Sequence, residues 1–532
     1  MTARAPTASD LSGAPALSFN LWHEPWINVL GTDGARTARL GIRDCLVGAH
    51  RLRALADPSP LVAAGLQRLL AAIAQDIVRA RGVADLTALL RRGQFDPEAI
   101  DRFGATYAPR FDLFSADTPF LQTADVPPEL PRRAGETKPV SYLFLEEPTA
   151  TNVNHFAHRY DRDAQYAPAT AAAGLVTLAA FATSGGAGIK PSINGVPPLY
   201  VLPAGNSVFE TVARSIITPG FQPRIASAND HPAWARDPVV QRSREVLAVG
   251  YLESLTFPAR RVRLIPERVA GRCARSGEES PVLVRRMVFE MGHARPKDAA
   301  VWLDPFAAYR TREKGEPVPV RPQQGKALWR EYGTLFQTAA PDDSGEVGKP
   351  GTVIPPAVVQ QTALLGDTLD DQQSVWRFRC VGMRTDMKAK VFEWVDETLD
   401  VPAGILADPA GQAEVTVAVQ RAEEWVKRIA AIHHGVYAAE DDALDGLRWR
   451  MRTRYWILLA EPFRTFVLAA ADRAQREAAL QDWTTRVFRV GEEVLTAAAD
   501  AAGDRGERLR QRAELLTRYR IARTGQAKGW LP

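Results

Sequence analysis

Residues 415–432 read VTVAVQRAEEWVKRIAAI, and their apolar side chains return every three or four positions. This spacing places the apolar side chains along one face of an α-helix and the charged ones on the other. Four such helices joined by short polar turns are typical of an antiparallel bundle. We therefore predict a four-helix bundle at 401–532, with the second helix kinked or interrupted at Pro462. The other stretches with this periodicity are 447–471, 487–498 and 509–521.

The sequence upstream of the bundle mixes helical and strand-like patterns. Residues 59–80 predict an amphipathic helix, and 84–92 predict a second one. The predicted fold class is α+β, with a large mixed α/β domain at 17–400 in front of the bundle. Residues 1–16 lack the apolar core of a signal peptide and are expected to be a disordered leader. Strand-like segments occur at 17–32, 195–203, 256–266 and 375–393.

The composition excludes several protein classes. With 46% hydrophobic and 24% charged residues, the chain of 532 residues is typical of a globular protein. No apolar stretch approaches the ~20 residues of a membrane span, so we expect no membrane contact and a cytoplasmic location. The three cysteines, Cys45, Cys273 and Cys380, are far apart. Their separation argues against a disulfide framework and a zinc site, so no metal is expected.

Basic clusters are easier to find than catalytic motifs. The eight histidines include no His-Glu-x-x-His motif, and no nucleophile elbow is present. Each basic cluster alone is usually a solvated face, but several together favour a phosphate-contacting surface. The clusters lie on a predicted strand at 260–263, beside an apolar turn at 285–286, at 384–390 and along 505–523.

A glycine-rich stretch, Ser184-Gly185-Gly186-Ala187-Gly188, follows the apolar run at 171–182, and Lys190 lies just behind it. Glycine permits positive φ angles and leaves the backbone bare. The stretch is therefore either a loose turn after a helix or a backbone cradle for a phosphate or a base edge. A nucleotide P-loop is disfavoured because Ile189 separates the last glycine from the lysine and Pro191 follows it.

Several short motifs recur along the chain in a definite order. They begin with Asn20-Leu21 and Pro25-Trp26-Ile27 and end with Gly382-Met383-Arg384 and the terminal helices. In this order and spacing they resemble the large subunit of the type I-E CRISPR surveillance complex, the CasA family of the assembly called Cascade. The motifs between are 40–44, Phe111-x-Leu113, 118–123, Ala150-Thr151-Asn152, the glycine-rich stretch and 256–264.

The resemblance implies a subunit without catalytic activity or cofactors. The family reads a short motif beside the target, the PAM, in double-stranded DNA and helps to open the duplex for the guide RNA. It also docks the helicase-nuclease that degrades the DNA. Expected partners are therefore the DNA target, the CRISPR RNA, the backbone and small subunits of Cascade, and the helicase-nuclease. The alternative from another class is a metal-dependent nucleic-acid-processing enzyme, which needs acidic residues converging on a metal.

The resemblance also implies a PAM-reading site. The family's glycine loop reads the minor groove, which admits bare backbone more readily than side chains. Lys190 is then expected to neighbour a phosphate. A second loop, after the Ala-Thr-Asn triplet, is expected near the DNA or the guide RNA. The glycine loop falls on Gly185, Gly186, Ala187 and Gly188, and the second loop on Asn154, His155 and Phe156.

Two further elements follow from the resemblance. A lysine from the middle of the family's chain contacts the PAM, and the spacing here does not choose among Arg285, Arg286 and Lys297. A β-hairpin wedge is expected beneath the PAM, with Met387 where the family pattern has a polar amide. An apolar tip can still unstack a base step. The wedge should comprise Thr385, Asp386, Met387 and Lys388.

Overall fold

The computed structural model describes most of the chain. The described residues are 16–32, 37–126, 137–147, 164–184, 188–223, 230–238, 244–296, 299–312, 315–338, 352–369, 375–385, 391–437, 441–503 and 506–531. Within them, small antiparallel sheets and mostly short helices precede residue 403, and long helices follow it. The α+β fold class is confirmed.

The strands form four small three-stranded sheets and one two-stranded sheet among the described residues. In chain order they are β1 (Ile27–Gly31), β2 (Thr37–Leu40), β3 (Leu52–Leu55), β4 (Lys138–Pro139), β5 (Tyr200–Ala204), β6 (Arg260–Glu267), β7 (Gly271–Arg272), β8 (Glu279–Ser280), β9 (Leu283–Met291), β10 (Tyr309–Thr311), β11 (Pro317–Pro319), β12 (Val353–Ile354), β13 (Val375–Thr385) and β14 (Val391–Pro402). Sheet orders are β2-β1-β3, β4-β9-β6, β11-β10-β12 and β14-β13-β5, with β7 paired to β8.

The helices fall into a short set before the bundle and a long set within it. In chain order they are α1 (Ile42–Val47), α2 (Pro60–Val78), α3 (Val83–Arg92), α4 (Pro97–Tyr107), α5 (Pro168–Leu175), α6 (Leu178–Phe181), α7 (Val208–Arg214), α8 (Tyr251–Leu255), α9 (Tyr332–Leu335), α10 (Ala357–Leu369), α11 (Ala403–Leu406), α12 (Pro409–Val436), α13 (Asp441–Ala470), α14 (Arg476–Ala501) and α15 (Glu507–Trp530).

Helix α2 is the centre of the N-terminal core. The Ser59 side chain caps its first turn, and Pro60 occupies a position where a missing N–H costs nothing. By length and composition α2 could cross a membrane, but 83% of its apolar window is buried inside the protein. The expectation that no apolar stretch approaches that length was therefore wrong for α2. The reason is that a helix packed on all sides becomes apolar all round.

The four-helix bundle is confirmed as α12 to α15. Trp425 of α12 packs edge-on against Phe488 and Tyr519, and Gly491 leaves room for its indole, since a Cβ there would lie 2.4 Å from the indole nitrogen. Helix α13 continues through Pro462, so it is not interrupted there. The apolar run at 171–182 divides into α5 and α6. The bundle core is continuous with the core around the sheets, since Trp329 packs against Trp456 and Phe463 of α13.

Candidate nucleic-acid interface

The glycine loop, defined here as residues 184–189, has a closed base. Helix α6 ends at Phe181. The Ser192 amide then donates to the Ala182 carbonyl at 2.9 Å, and Ser192 Oγ donates to the Ala179 carbonyl at 2.5 Å. Gly188 is exposed and has a φ of +79°, which L side chains rarely adopt. Gly185, Gly186 and Ala187 lie outside the described residues.

Arg260, at the start of β6, binds both limbs of the glycine loop. Its side chain is 4% exposed. Nη2 donates to the carbonyl of Thr183 before the loop, and Nη1 donates to the carbonyl of Lys190 after it, at 2.8 Å. Burial lowers the pKa of Arg260 to about 10, so the guanidinium stays charged at neutral pH. The loop therefore rests on a buried cation.

Lys190 is held by its backbone and by its side chain. Its amide donates to Met291 Sδ at 3.2 Å, and Met291 pairs with Arg260 across the β6–β9 ladder. Its Nζ lies 2.8 Å from Glu245 Oε1, and the two side chains are about half exposed. Glu245 itself forms a β-bridge with Ala294. Lys190, which is expected to neighbour a phosphate, thus forms an ion pair with Glu245 in the free protein.

The β13–β14 hairpin extends beyond its sheet. Strand β5 pairs with Arg377–Val381 of β13, whereas β14 pairs with β13 as far as Thr385. The last four residues of β13, from Gly382 to Thr385, thus project roughly 13 Å past the third strand. Of the expected wedge residues, Thr385 ends β13, and Asp386, Met387 and Lys388 lie outside the described residues.

A buried polar network lies behind the loop. The guanidinium of Arg68 donates to both carboxylate oxygens of Asp304 at 3.1 and 2.7 Å. Both side chains are nearly inaccessible, 3% and 1% exposed. Asn194 Nδ2 donates to Asp304 at 3.1 Å and to the Tyr200 hydroxyl at 2.9 Å. The buried ion pair is thus saturated by further hydrogen bonds, as buried charges require.

This network joins the loop to the hairpin. Asn194 follows Ser192, which closes the loop base, by two residues. The Tyr200 hydroxyl donates to the Ala180 carbonyl of α6 at 2.8 Å, and its backbone pairs with Val381 at the root of the projecting hairpin. The two elements to which the resemblance assigns PAM reading and duplex opening therefore share one hydrogen-bonded base.

The basic candidates in mid-chain lie elsewhere. Arg285 and Arg286 were expected beside a turn, but they lie within β9. Arg285 donates to the Gln165 side chain at 2.8 Å, and Arg286 donates to the Thr137 carbonyl at 2.7 Å. Arg285 is six residues, or roughly 20 Å of strand, from Met291 at the loop. Lys297, Asn154, His155 and Phe156 lie outside the described residues.

The cluster at 260–263 was expected to contact phosphates, and this expectation was wrong. Arg260, Arg261 and Arg263 are 4%, 6% and 1% exposed. Arg261 pairs with Asp125 and Glu290, and Arg263 donates to the Ser115 carbonyl at 3.0 Å. Strand alternation does not expose them, because β6 is covered on both faces.

Within the described ranges, no group of three or more His, Cys, Asp or Glu side chains is arranged to hold a metal ion. The three cysteines are buried free thiols, and burial raises the pKa of Cys45 to about 12. His433 is fully buried in α12, and burial lowers its pKa to about 4.

Two residues at the interface were missed by sequence reasoning. Glu245 carries no motif and becomes relevant only through its contact with Lys190. Arg260 was noted only as one member of a basic cluster. The sequence pattern of β6 does not predict that the Arg260 side chain contacts the loop. The residues that accept its hydrogen bonds, Lys190 and Thr183, are 70 or more positions away in the sequence.

Comparisons with known proteins agree on one family. A family model described as CRISPR-associated protein Cse1 matches residues 20–494. The CRISPR-associated protein CasA/Cse1 of Thermus thermophilus is 29% identical over 420 residues, covering 76% of this chain and 75% of that protein. Cse1 of Acidimicrobium ferrooxidans superposes with a TM-score of 0.77 at 23% identity, over 98% of this chain and 100% of that one. A chain of a CRISPR RNA-guided surveillance complex superposes with a TM-score of 0.70 at 21% identity, over 96% and 99%.

Proposed function

Because this chain belongs to the CRISPR-associated Cse1 (CasA) family, the large subunit of a CRISPR surveillance complex, we propose that it is the subunit that reads the PAM. In this role it recognises double-stranded DNA, promotes opening of the duplex and R-loop formation, and docks the helicase-nuclease. It assembles with the CRISPR RNA and the other Cascade subunits and does not itself catalyse a reaction.

The observation that carries this proposal is the geometry of the glycine loop. A side-chain-poor turn, with Gly188 at positive φ, is presented from a base pinned by Ser192 and Arg260. The minor groove of B-DNA is about 6 Å wide, so a bare backbone enters it more easily than a side chain does.

The projecting β13–β14 hairpin supports the proposed role in opening the DNA duplex. The root of the hairpin shares the Arg68–Asp304 network with the base of the glycine loop, so buried hydrogen bonds link the two elements. An apolar wedge such as Met387 would unstack a base step at a cost of a few kcal/mol. Guide pairing to the freed strand would offset that cost.

For the mid-chain PAM contact, we propose Lys297 rather than Arg285 or Arg286. Both arginines of β9 already donate to other segments, Arg285 to Gln165 and Arg286 to Thr137, and lie roughly 17–20 Å of strand from the loop. Lys297 follows Ala294, which bridges to Glu245 beside Lys190.

The test replaces Gly188 by valine in the reconstituted complex with its guide RNA. A β-branched residue is strongly disfavoured at this φ, by roughly 1–2 kcal/mol, so the loop must change shape. We expect roughly tenfold weaker binding of a PAM-containing duplex. Assembly and binding of a single-stranded target should be unchanged. A bulky residue at Gly186 should act in the same way.

Gly325→Val is the matched control. Gly325 is also exposed, has a φ of +65° and has open space around it, but it lies in another loop. Unchanged PAM discrimination in Gly188→Val would refute the proposal, as would an equal loss in Gly325→Val. Incubation of the purified protein with DNA and Mg²⁺ or Mn²⁺ should leave the DNA intact. Cleavage abolished by replacing one carboxylate would instead establish the enzyme alternative.

A further inference from the structure

We propose that Arg260 is a positioning residue for the glycine loop, and that its guanidinium sets the separation of the two loop limbs. The shape of the backbone offered to DNA then depends on a side chain that does not touch DNA. This inference rests on the proposed PAM-reading function of the loop.

The hydrogen bonds of Arg260 span the loop. One nitrogen, Nη2, binds the Thr183 carbonyl on the entering limb, and the other, Nη1, binds the Lys190 carbonyl on the leaving limb. Nη1 also binds the Ala259 carbonyl at 2.7 Å, which ties the guanidinium to its own strand. Because the guanidinium is planar and rigid, the two limbs are held at a fixed spacing.

On the leaving limb, both the amide and the carbonyl of Lys190 form hydrogen bonds. The Lys190 carbonyl accepts from Arg260, and the Lys190 amide donates to Met291 Sδ. Arg260 and Met291 are direct partners in the β6–β9 ladder. The next residue, Gly292, approaches so closely that a Cβ would lie 2.2 Å from the Pro258 carbonyl oxygen. The contacts of Arg260 and Met291 with the loop, called the clamp from here on, therefore lie at a tightly packed end of the β6–β9 pair.

The acceptors of Arg260 are uncharged. Among the described residues it binds three carbonyl oxygens, and burial is the cause of its lowered pKa. Its neighbour Arg261 is instead neutralised by Asp125 and Glu290. No carboxylate among the described residues pairs with Arg260, so its positive charge beneath the loop attracts an approaching phosphate backbone.

The experiment replaces Arg260 by lysine in the reconstituted complex with its guide RNA. Lysine keeps the charge, but its single ammonium cannot bridge two carbonyls as the guanidinium fork does. The readout is the ratio of affinities for a PAM-containing duplex and for a single-stranded target, which needs no PAM. We expect this ratio to fall roughly tenfold, because charged hydrogen bonds to both limbs weaken.

Arg263→Lys is the matched control. Arg263 is a buried arginine of the same strand that also binds carbonyl oxygens, but those of Ser115 and Thr123, away from the loop. Its replacement should destabilise the protein without changing the affinity ratio. Hydrogen exchange of the backbone amides of 183–192, measured in the DNA-free complex, should accelerate in Arg260→Lys and stay unchanged in Arg263→Lys.

If Arg260→Lys does not fold, Met291→Leu tests the same clamp. Leucine fills a similar volume but leaves the Lys190 amide without its acceptor, so we expect the affinity ratio to fall roughly threefold. An unchanged ratio in the folded clamp variant, with a reduced ratio in Gly188→Val, overturns the role of Arg260 and leaves PAM reading intact. Equal losses in Arg260→Lys and Arg263→Lys also overturn it. An unchanged ratio in Gly188→Val overturns PAM reading and this inference with it.

Discussion

The Lys190–Glu245 ion pair predicts that removing one carboxylate strengthens DNA binding. In the proposed site, Glu245 Oε1 lies 2.8 Å from Lys190 Nζ and competes with a phosphate for the ammonium group. Glu245→Gln keeps the shape of the side chain and removes its charge. We therefore expect the complex carrying Glu245→Gln to bind duplex DNA more tightly than the wild type.

The size of the gain follows from the exposure of the pair. The two side chains are 46% and 52% exposed. Ion pairs this exposed contribute ~0.2–1 kcal/mol. That energy corresponds to roughly 1.4- to fivefold tighter binding in Glu245→Gln. Phosphate contacts carry no sequence information, so duplexes with and without a PAM should gain by the same factor.

A double-mutant cycle with Lys190→Met isolates the effect of the pair. Affinities of the wild type, the two single variants and the double variant are measured by titrating a fluorescent duplex at several salt concentrations. Lys190→Met should weaken binding and reduce the slope of log K against log salt by about 0.9, because one phosphate contact is lost. In the Lys190→Met background, Glu245→Gln should bring a much smaller gain.

Two results would refute this reasoning. If Glu245→Gln binds duplex DNA no more tightly than the wild type, the ion pair does not compete with phosphate. If the gain is equally large with Met at position 190, the carboxylate acts by general repulsion and Lys190 is not the phosphate contact.

Two further predictions concern stability. Asp304→Asn should lower the free energy of unfolding by about 3–5 kcal/mol in urea, because it leaves the buried Arg68 guanidinium uncompensated. Asp396→Asn, which breaks the more exposed pair with Arg379, should cost no more than about 1 kcal/mol, and equal losses would contradict the role of burial. Burial lowers the pKa of His433 to about 4, so between its ordinary value near 6.5 and 4 the unfolded chain binds more protons and stability falls as pH falls. His433→Gln should flatten this fall in thermal melts between pH 7 and 4.

Local patterns in the sequence were sufficient for the elements that bury one face. The bundle helices followed from apolar spacing, and α2 from the run that Ser59 and Pro60 begin. Strand β13 followed from alternation at 375–393, whereas the hairpin that it forms with β14 was implied only by the family resemblance. Each of these patterns extends over one or two turns of helix or a few residues of strand, so it can be recognised without knowledge of the tertiary structure.

Other elements gave misleading local signals. Strand β9 contains two adjacent charged residues, Arg285 and Arg286, and was interpreted as an apolar turn flanked by basic residues. Their guanidinium groups donate hydrogen bonds to Gln165 and Thr137, which come from distant segments. The same is true of the buried arginines of β6, whose partners lie 29 to 148 residues away for Arg261 and Arg263. A charged residue is buried only when such partners exist, and the sequence does not show them.

By itself, the sequence determined the α+β class, the four-helix bundle and the family likeness. It also identified the glycine-rich stretch as the candidate interface. The tertiary structure decided what holds that interface: Arg260 beneath the loop, Glu245 against Lys190, and the Arg68–Asp304 network between the loop and the hairpin. The physical reason is the separation along the sequence of the residues that interact. Periodicity and glycine content act on neighbouring residues, whereas a hydrogen bond between segments 70 or more residues apart exists only after the chain has folded.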